Sequence, residues 1–249
     1  MRQSPDGSVW VRTYPLTLDR DQVLPTHTHE WDQFTYAASG VIRVETAGAA
    51  WMVPPHAAVW VPAGVPHAEH LFGPVSVRTL YFARGAARAL PRRCRTVNVP
   101  SLLRELVLHV SRIGALDRKD ARQARLIGVL LDQLSGVTDV PLQLPMPADD
   151  RARRVAADVQ AAPSAAASVT RLARRAGAGR RTIERLFLAE TKMTVGEWRR
   201  RARLLHAMRR LSEGASVTDA ALDAGYTSVS AFIATFRKTF GITPGQYRR

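Results

Sequence analysis

Two stretches near the end of this chain share one text, and a duplicated unit of that size restricts the fold more than any other feature. Val169, Leu172, Ala173, Ala176 and Gly177 recur 48 positions later as Val217, Ala220, Ala221, Ala224 and Gly225. Past that turn the offset becomes 49. Phe187 then matches Phe236, and MTVGEWRR (Met193–Arg200) matches ITPGQYRR (Ile242–Arg249). The i, i+3, i+4, i+7 spacing of Val169, Leu172, Ala173 and Ala176 predicts a short amphipathic helix. Gly177 and Gly179 permit a tight turn, and Ile183, Leu186 and Phe187 predict a second helix packed on the first. In the second copy Phe232, Phe236 and Phe240 take the inward face. Helix–turn–helix units are therefore predicted over 169–190 and 217–240. Between them, Thr194-Val195-Gly196-Glu197 has the form of a capping box and starts a helix to about Leu211. Thr243-Pro244-Gly245-Gln246 repeats it with proline at the first helical position, where proline is best tolerated. The linking helix, roughly 18 residues at 1.5 Å each, spans about 27 Å. That is somewhat short of one ~34 Å turn of B-DNA, so two successive major grooves are within reach with some bending.

Charge supports a polyanion partner. The net charge is +15. Residues 150–249 hold 20 Lys+Arg against 8 Asp+Glu, a net of +12, while residues 1–149 hold 16 against 13, a net of +3. Nearly all the basic residues are arginine, and a coding bias would raise the total without making it asymmetric. A basic segment joined to a near-neutral one reads as a nucleic-acid-binding module attached to something else. The helix faces left outward carry Arg180, Arg181, Thr182, Glu184 and Arg185 in the first unit. In the second they carry Ser228, Ser230, Ala231, Ala234, Thr235 and Lys238. The single cysteine, Cys94, excludes an internal disulfide and fits a reducing compartment. No signal segment opens the chain and no apolar run approaches the ~20 residues of a membrane helix, so a cytoplasmic protein is expected.

From Val9 to about Phe82 the text changes to short β-branched and aromatic runs (VWVRTYPL, DQFTYAA, VIRVETA, AAWMVP, AAVWVP, VSVRTLYF). Ser39-Gly40, Ala47-Gly48, Pro54-Pro55, Gly64 and Gly73-Pro74 separate them. This pattern predicts a small barrel or sandwich. From Pro100 to Gly136 the period becomes helical, with Leu103, Leu106, Val107 and Val110 on one helix and Leu126, Ile127, Leu130, Leu131 and Leu134 on another. Pro141 to Pro147 reads as an extended linker.

The run GYTSVSAFIATFRKTFGITPGQYRR (Gly225–Arg249) resembles the signature of the AraC/XylS family of bacterial transcription regulators. Gly225, Tyr226, Ser228, Ser230, Phe232, Phe236, Gly241, Thr243, Pro244, Tyr247 and Arg248 fall in register, and the likeness extends over about 150–249. It implies that the second helix of each unit reads DNA, the first unit more specifically. Arg181, Glu184 and Arg185 become base-edge candidates: arginine suits guanine, and Glu184 would accept from cytosine. The hydroxyl and apolar face of the second unit suits phosphate positioning.

A second constellation, His27, His29, Gln33, Gly40, Pro62, Gly64 and His67, resembles the two cupin motifs. It departs from them at Gln33, where glutamate is usual, at His56 in place of an opening glycine, and at Leu71 in place of a closing asparagine. On a strand His27 and His29 point to one side, and His67 would complete a three-imidazole set. With Gln33 these residues either hold a divalent metal, or line an effector pocket, or hydrogen-bond internally. Trp31, Trp51 and Trp60 belong to the core or to a pocket wall.

The resulting expectation is an α+β multidomain protein: a cupin-like sensor barrel (1–90), a helical connector that dimerises or relays (91–147), and an all-α double helix–turn–helix domain (148–249). A homodimer that binds double-stranded promoter DNA and answers to a small molecule or metal is expected. A metal-dependent cupin enzyme and an architectural DNA protein with a vestigial barrel are the alternatives.

Overall fold

A computed structural model describes residues 7–55, 57–140, 142–165, 167–240 and 243–247. His56 of the second cupin-like motif, and Gly241 and Arg248 of the C-terminal signature, lie outside the described residues. The chain divides into two compact units, one of Met1–Thr46 with Trp51–Pro141 and one of Ala47–Ala50 with Leu142–Arg249.

The first unit contains β1 (Val9–Leu18), β2 (Gln22–His27), β3 (Asp32–Glu45), most of β4 (Ala49–Val53, whose first two residues are grouped with the second unit), β5 (Ala57–Val61), β6 (His67–Phe82), β7 (Arg95–Asn98), α1 (Ser101–Ile113), β8 (Ala115–Asp117) and α2 (Ala121–Gly136). The main strand order is β7-β5-β3-β6-β1-β8. The long strand β6 is its hub. β1 pairs with its second half, from Val11↔Phe82 to Leu18↔Val75. β2 pairs with its first half, from Gln22↔Leu71 to His27↔His67. Along the other edge β3 runs antiparallel from Asp32↔Phe82 to Glu45↔Ala68, with irregular register around Ser39.

This topology corrects the expected closed cupin-like barrel. The sheet is open, and its path ends at β7 on one side and β8 on the other. Closure is one way for a sheet to bury its apolar face; covering that face with helices is another. Here the helices do it. Leu103, Val107 and Val110 of α1 and Ile127, Leu130 and Leu134 of α2 join one cluster with Val11, Phe34, Tyr36, Leu80 and Phe82 of the strands. The short strands at the path's ends come from the segments flanking α1, a pairing that local β-propensity does not encode.

β3 is buried on both faces from Asp32 to Ala37. Phe34 and Tyr36 face the helix-covered core. Gln33 and Thr35 alternate to the opposite face, where Thr35 Oγ1 lies 3.2 Å from Thr79 Oγ1. That second face is polar inside, which places the histidine cluster described below.

The second unit contains β9 (Gln143–Pro145), α3 (Asp150–Ala161), α4 (Val169–Arg175), α5 (Arg180–Thr191), α6 (Val195–Ser212), α7 (Val217–Asp223), α8 (Val229–Phe240) and α9 (Pro244–Tyr247). The proline-rich segment is extended but not loose: the Trp198 indole Nε1–H donates to the Pro145 carbonyl at 2.6 Å, holding β9 on α6. Leu172, Ala173, Ile183, Phe187, Trp198, Phe232 and Phe236 are fully or almost fully buried. Among the described residues, no helix is long and apolar enough to cross a membrane.

Candidate nucleic-acid interface and ligand site

The duplication seen in the text persists in individual hydrogen bonds. Ser168 caps α4 by accepting from Arg171 N–H, and Ser216 caps α7 by accepting from Asp219 N–H. Gly177 and Gly225 leave these helices at φ +74° and +75°, a backbone region that glycine enters without steric cost. The next residue then closes the turn: Ala178 N–H donates to Ala173 O at 2.9 Å, as Tyr226 N–H does to Ala221 O. Thr194 and Glu197 form the predicted capping box at the start of α6. Thr243 and Gln246 repeat it at α9, with bonds of 2.9 and 3.2 Å. Each unit thus presents its second helix, α5 or α8, by the same local device.

On α5, Arg180, Arg181 and Arg185 are exposed, and Thr182 and Glu184 are half-buried. Arg180 Nε donates to Glu184 Oε1 at 2.8 Å, an i, i+4 pair. The carboxylate therefore orients a neighbouring arginine in the free chain. On α8, Ser230, Ala234 and Lys238 are exposed and Thr235 is half-buried. The Ser228 hydroxyl accepts from Ala231 N–H at 3.3 Å, so this exposed serine serves the start of the helix. Ile183, Phe187, Phe232 and Phe236 are completely buried, which fixes the inward side of each helix.

Several other arginines are committed to the protein. Arg199 donates to the carbonyls of Ala165 and Ala167, both at 2.8 Å. Arg203 donates to Pro163 O at 2.8 Å, and Arg154 to Ala176 O at 3.0 Å. Burial, with the nearby Arg203 charge, lowers the Arg199 pKa. These side chains tie α3 and α6 to the segments around the first helix–turn–helix. In the Arg199-Arg200-Arg201 run only Arg200 is fully exposed.

The histidines come together at the polar face of the N-terminal unit. His27 ends β2, His67 opens β6 opposite it in register, and His29 lies in the short segment between β2 and β3. One ring nitrogen from each lies within 4.8 Å of those from the other two. Each ring also presents Nδ1 to a backbone carbonyl: His27 to Pro25 at 2.9 Å, His29 to Trp31 at 2.5 Å and His67 to Val65 at 2.9 Å. A carbonyl can only accept, so the proton of each neutral ring belongs on Nδ1, and Nε2 is left with a free lone pair. Gln33 Oε1 faces two of these nitrogens, 2.5 Å from His29 Nε2 and 3.2 Å from His67 Nε2. Its amide nitrogen donates to Thr35 Oγ1 at 2.7 Å and to Glu69 Oε1 at 2.6 Å. Three imidazole lone pairs and one amide oxygen thus converge with no donor among them, an arrangement that fits a borderline divalent cation.

Burial, reinforced by the neighbouring histidines and opposed by the Val65 bond, pulls the His67 pKa down to about 4. Burial likewise raises the Glu69 pKa against the opposing Gln33 bond, and pushes Tyr81 up to about 12. The Tyr81 ring meets His29 edge-on at 5.4 Å. Glu69, Thr35, Thr79 and Tyr81 were not singled out from the sequence. The period of two running from Gln33 to Thr35, and from His67 to Glu69, was the signal for Thr35 and Glu69 as polar neighbours on the strands. Trp31, Trp51 and Trp60 are almost fully buried. Trp31 and Trp60 belong to the helix-covered core, and Trp60 donates to Pro91 O at 2.9 Å. His70 lies apart from the cluster, stacked on Phe72.

Comparison with known proteins defines the class that this geometry belongs to. A family profile described as a helix-turn-helix domain matches residues 172–249, and one described as an AraC-like ligand binding domain matches residues 16–139. The chain is 32% identical over 223 residues to the HTH-type transcriptional regulator NimR of Escherichia coli (strain K12), covering 90% of this chain and 81% of NimR. It is 35% identical over 78 residues to the regulatory protein SoxS of the same strain, covering 31% of this chain and 73% of SoxS. ToxT from Vibrio cholerae O395 aligns over 97% of each chain with a TM-score of 0.42 and 11% identity.

The chain belongs to the AraC/XylS family of transcription regulators. It is a DNA-binding regulator rather than an enzyme, with an N-terminal domain of the AraC ligand-binding type in place of the expected cupin.

Proposed function

We propose that this chain binds double-stranded promoter DNA through α5 and α8 and that its N-terminal domain controls the binding by taking up a small molecule or a divalent metal. The observation that carries the DNA reading is the pair of helix–turn–helix units closed by the same caps, turns and glycines, each with its second helix turned to solvent. Within residues 148–249, Arg181 and Arg185 read base edges, with Arg180 and Glu184 acting as a pair and Thr182 beside them. Ser228, Ser230, Ala234, Thr235 and Lys238 set the second unit on the backbone and offer small contacts. The protein acts in the cytoplasm as a homodimer, and His27, His29, Gln33 and His67 hold the metal. A bound ion would supply a fixed positive charge joining β2, the turn after it, β3 and β6; the side chains supply three neutral nitrogens and an amide oxygen. An effector shifts DNA affinity only if it favours one arrangement of the protein over another.

The test is a titration of the chain onto its own upstream DNA at several salt concentrations. Affinity should fall steeply and linearly on a log–log plot as counterions are released. A flat response would remove the basis for DNA binding by this module.

A further inference from the structure

A buried carboxylate stands directly behind the histidine cluster. Glu69 lies two residues along β6 from His67 and is only 8% exposed. Its Oε1 accepts the Gln33 amide N–H at 2.6 Å, while Thr35 Oγ1 receives a second bond from the same nitrogen at 2.7 Å. An amide can be turned end for end at almost no steric cost, so its hydrogen bonds decide which end faces a neighbour. Thr35 cannot decide it, since a hydroxyl serves a donor or an acceptor equally well. A carboxylate can, because it only accepts. If the amide were reversed, its oxygen would stand against the carboxylate and its two N–H groups would point at the imidazoles.

We propose that Glu69 is the positioning residue of the His27–His29–Gln33–His67 metal site: through its bond to the Gln33 amide nitrogen it locks that amide with its oxygen towards the three imidazoles. The inference rests on the metal reading given above. Partners of this kind, behind the ligands, typically change metal affinity by about 10- to 100-fold when removed.

The experiment measures Co(II) binding to the full-length chain by its visible d–d absorption and by competition with a chelator. The wild-type chain should bind one Co(II), and a His27→Ala, His29→Ala double variant should lose it. Glu69→Gln preserves shape but pairs amide with amide, so that the Gln33 oxygen is no longer forced inward. Its Co(II) affinity should fall by about 10- to 100-fold, with a changed d–d spectrum. The exchange variant Gln33→Glu, Glu69→Gln returns the polarity of the bond, since the amide placed on β6 would then donate to a carboxylate that faces the imidazoles. It should recover most of the affinity. If Glu69→Gln does not fold, the exchange variant decides alone, and a folded exchange variant that binds no Co(II) overturns the proposal. Equal affinity and an identical spectrum for wild type and Glu69→Gln also overturn it while leaving the metal reading intact. A wild-type chain that takes up no Co(II), or one whose uptake survives loss of both histidines, refutes the metal reading and the role of Glu69 together.

Discussion

Arg185 and Lys238 occupy outward faces of α5 and α8, both exposed, and their chemistry assigns them different work. The guanidinium fork can bond two acceptors of one guanine, whereas the ammonium is a point charge suited to a phosphate. Replacing Arg185 by Ala should therefore relax preference at a single base pair by about 1–3 kcal/mol, while Lys238→Ala should weaken every sequence alike and reduce the salt slope by about 1. Competition among operators altered one base pair at a time separates the two outcomes. Uniform weakening by Arg185→Ala would move that residue to the phosphate class. Glu184 enters through its 2.8 Å pair with Arg180, so reading a cytosine would require giving up that partner. Their spacing of four sets the two side chains on one face of the helix, though from the sequence Glu184 is read only as a base acceptor. Nothing local marked Arg199 and Arg203 as ligands of backbone carbonyls, because those carbonyls lie more than thirty residues away.

At the level of elements, the two glycine turns are alike in backbone and different in surroundings. A Cβ on Gly177 would meet open space, while one on Gly225 would come within 3.0 Å of Ser164 Cα. Gly177→Ala should thus cost the left-handed backbone penalty alone, about 1–2 kcal/mol, and Gly225→Ala distinctly more. Urea unfolding midpoints of the two variants check this, and equal losses would mean that the chain around Ser164 yields freely. Helices, caps and turns of this unit were legible beforehand because each depends on residues within about four positions of one another. The strands from Val9 to Phe82 were legible as strands for a similar reason. Whether their sheet closed was not, since closure depends on what β7 and β8 pair with, and edge pairing leaves no mark in the alternation of either strand.

For the molecule as a whole, a metal held by the histidines should stabilise the unit that contains them. An ion that binds only the folded state adds about 2.7 kcal/mol at a hundred times its Kd. Thermal unfolding of the full chain, followed by probes in the N-terminal unit, should show its transition rising with Co(II). A transition that does not move with Co(II), or that still moves in a His27→Ala, His29→Ala variant, contradicts a site at His27, His29, Gln33 and His67.

The sequence by itself determined the doubled helix–turn–helix, the concentration of positive charge around it, the outward faces of α5 and α8, and the likeness that placed the chain in its family. The first three follow from periodicity, capping and composition, which act over short stretches of chain; the likeness rests on the motif residues of Gly225–Arg249 standing in register. The tertiary structure alone decided that the sheet stays open beneath α1 and α2, that the arginines of α6 are divided between solvent and backbone carbonyls, and that Gln33 meets Glu69 across 36 residues of sequence. Those outcomes depend on which distant groups a curved sheet and a packed helix bring within hydrogen-bond reach.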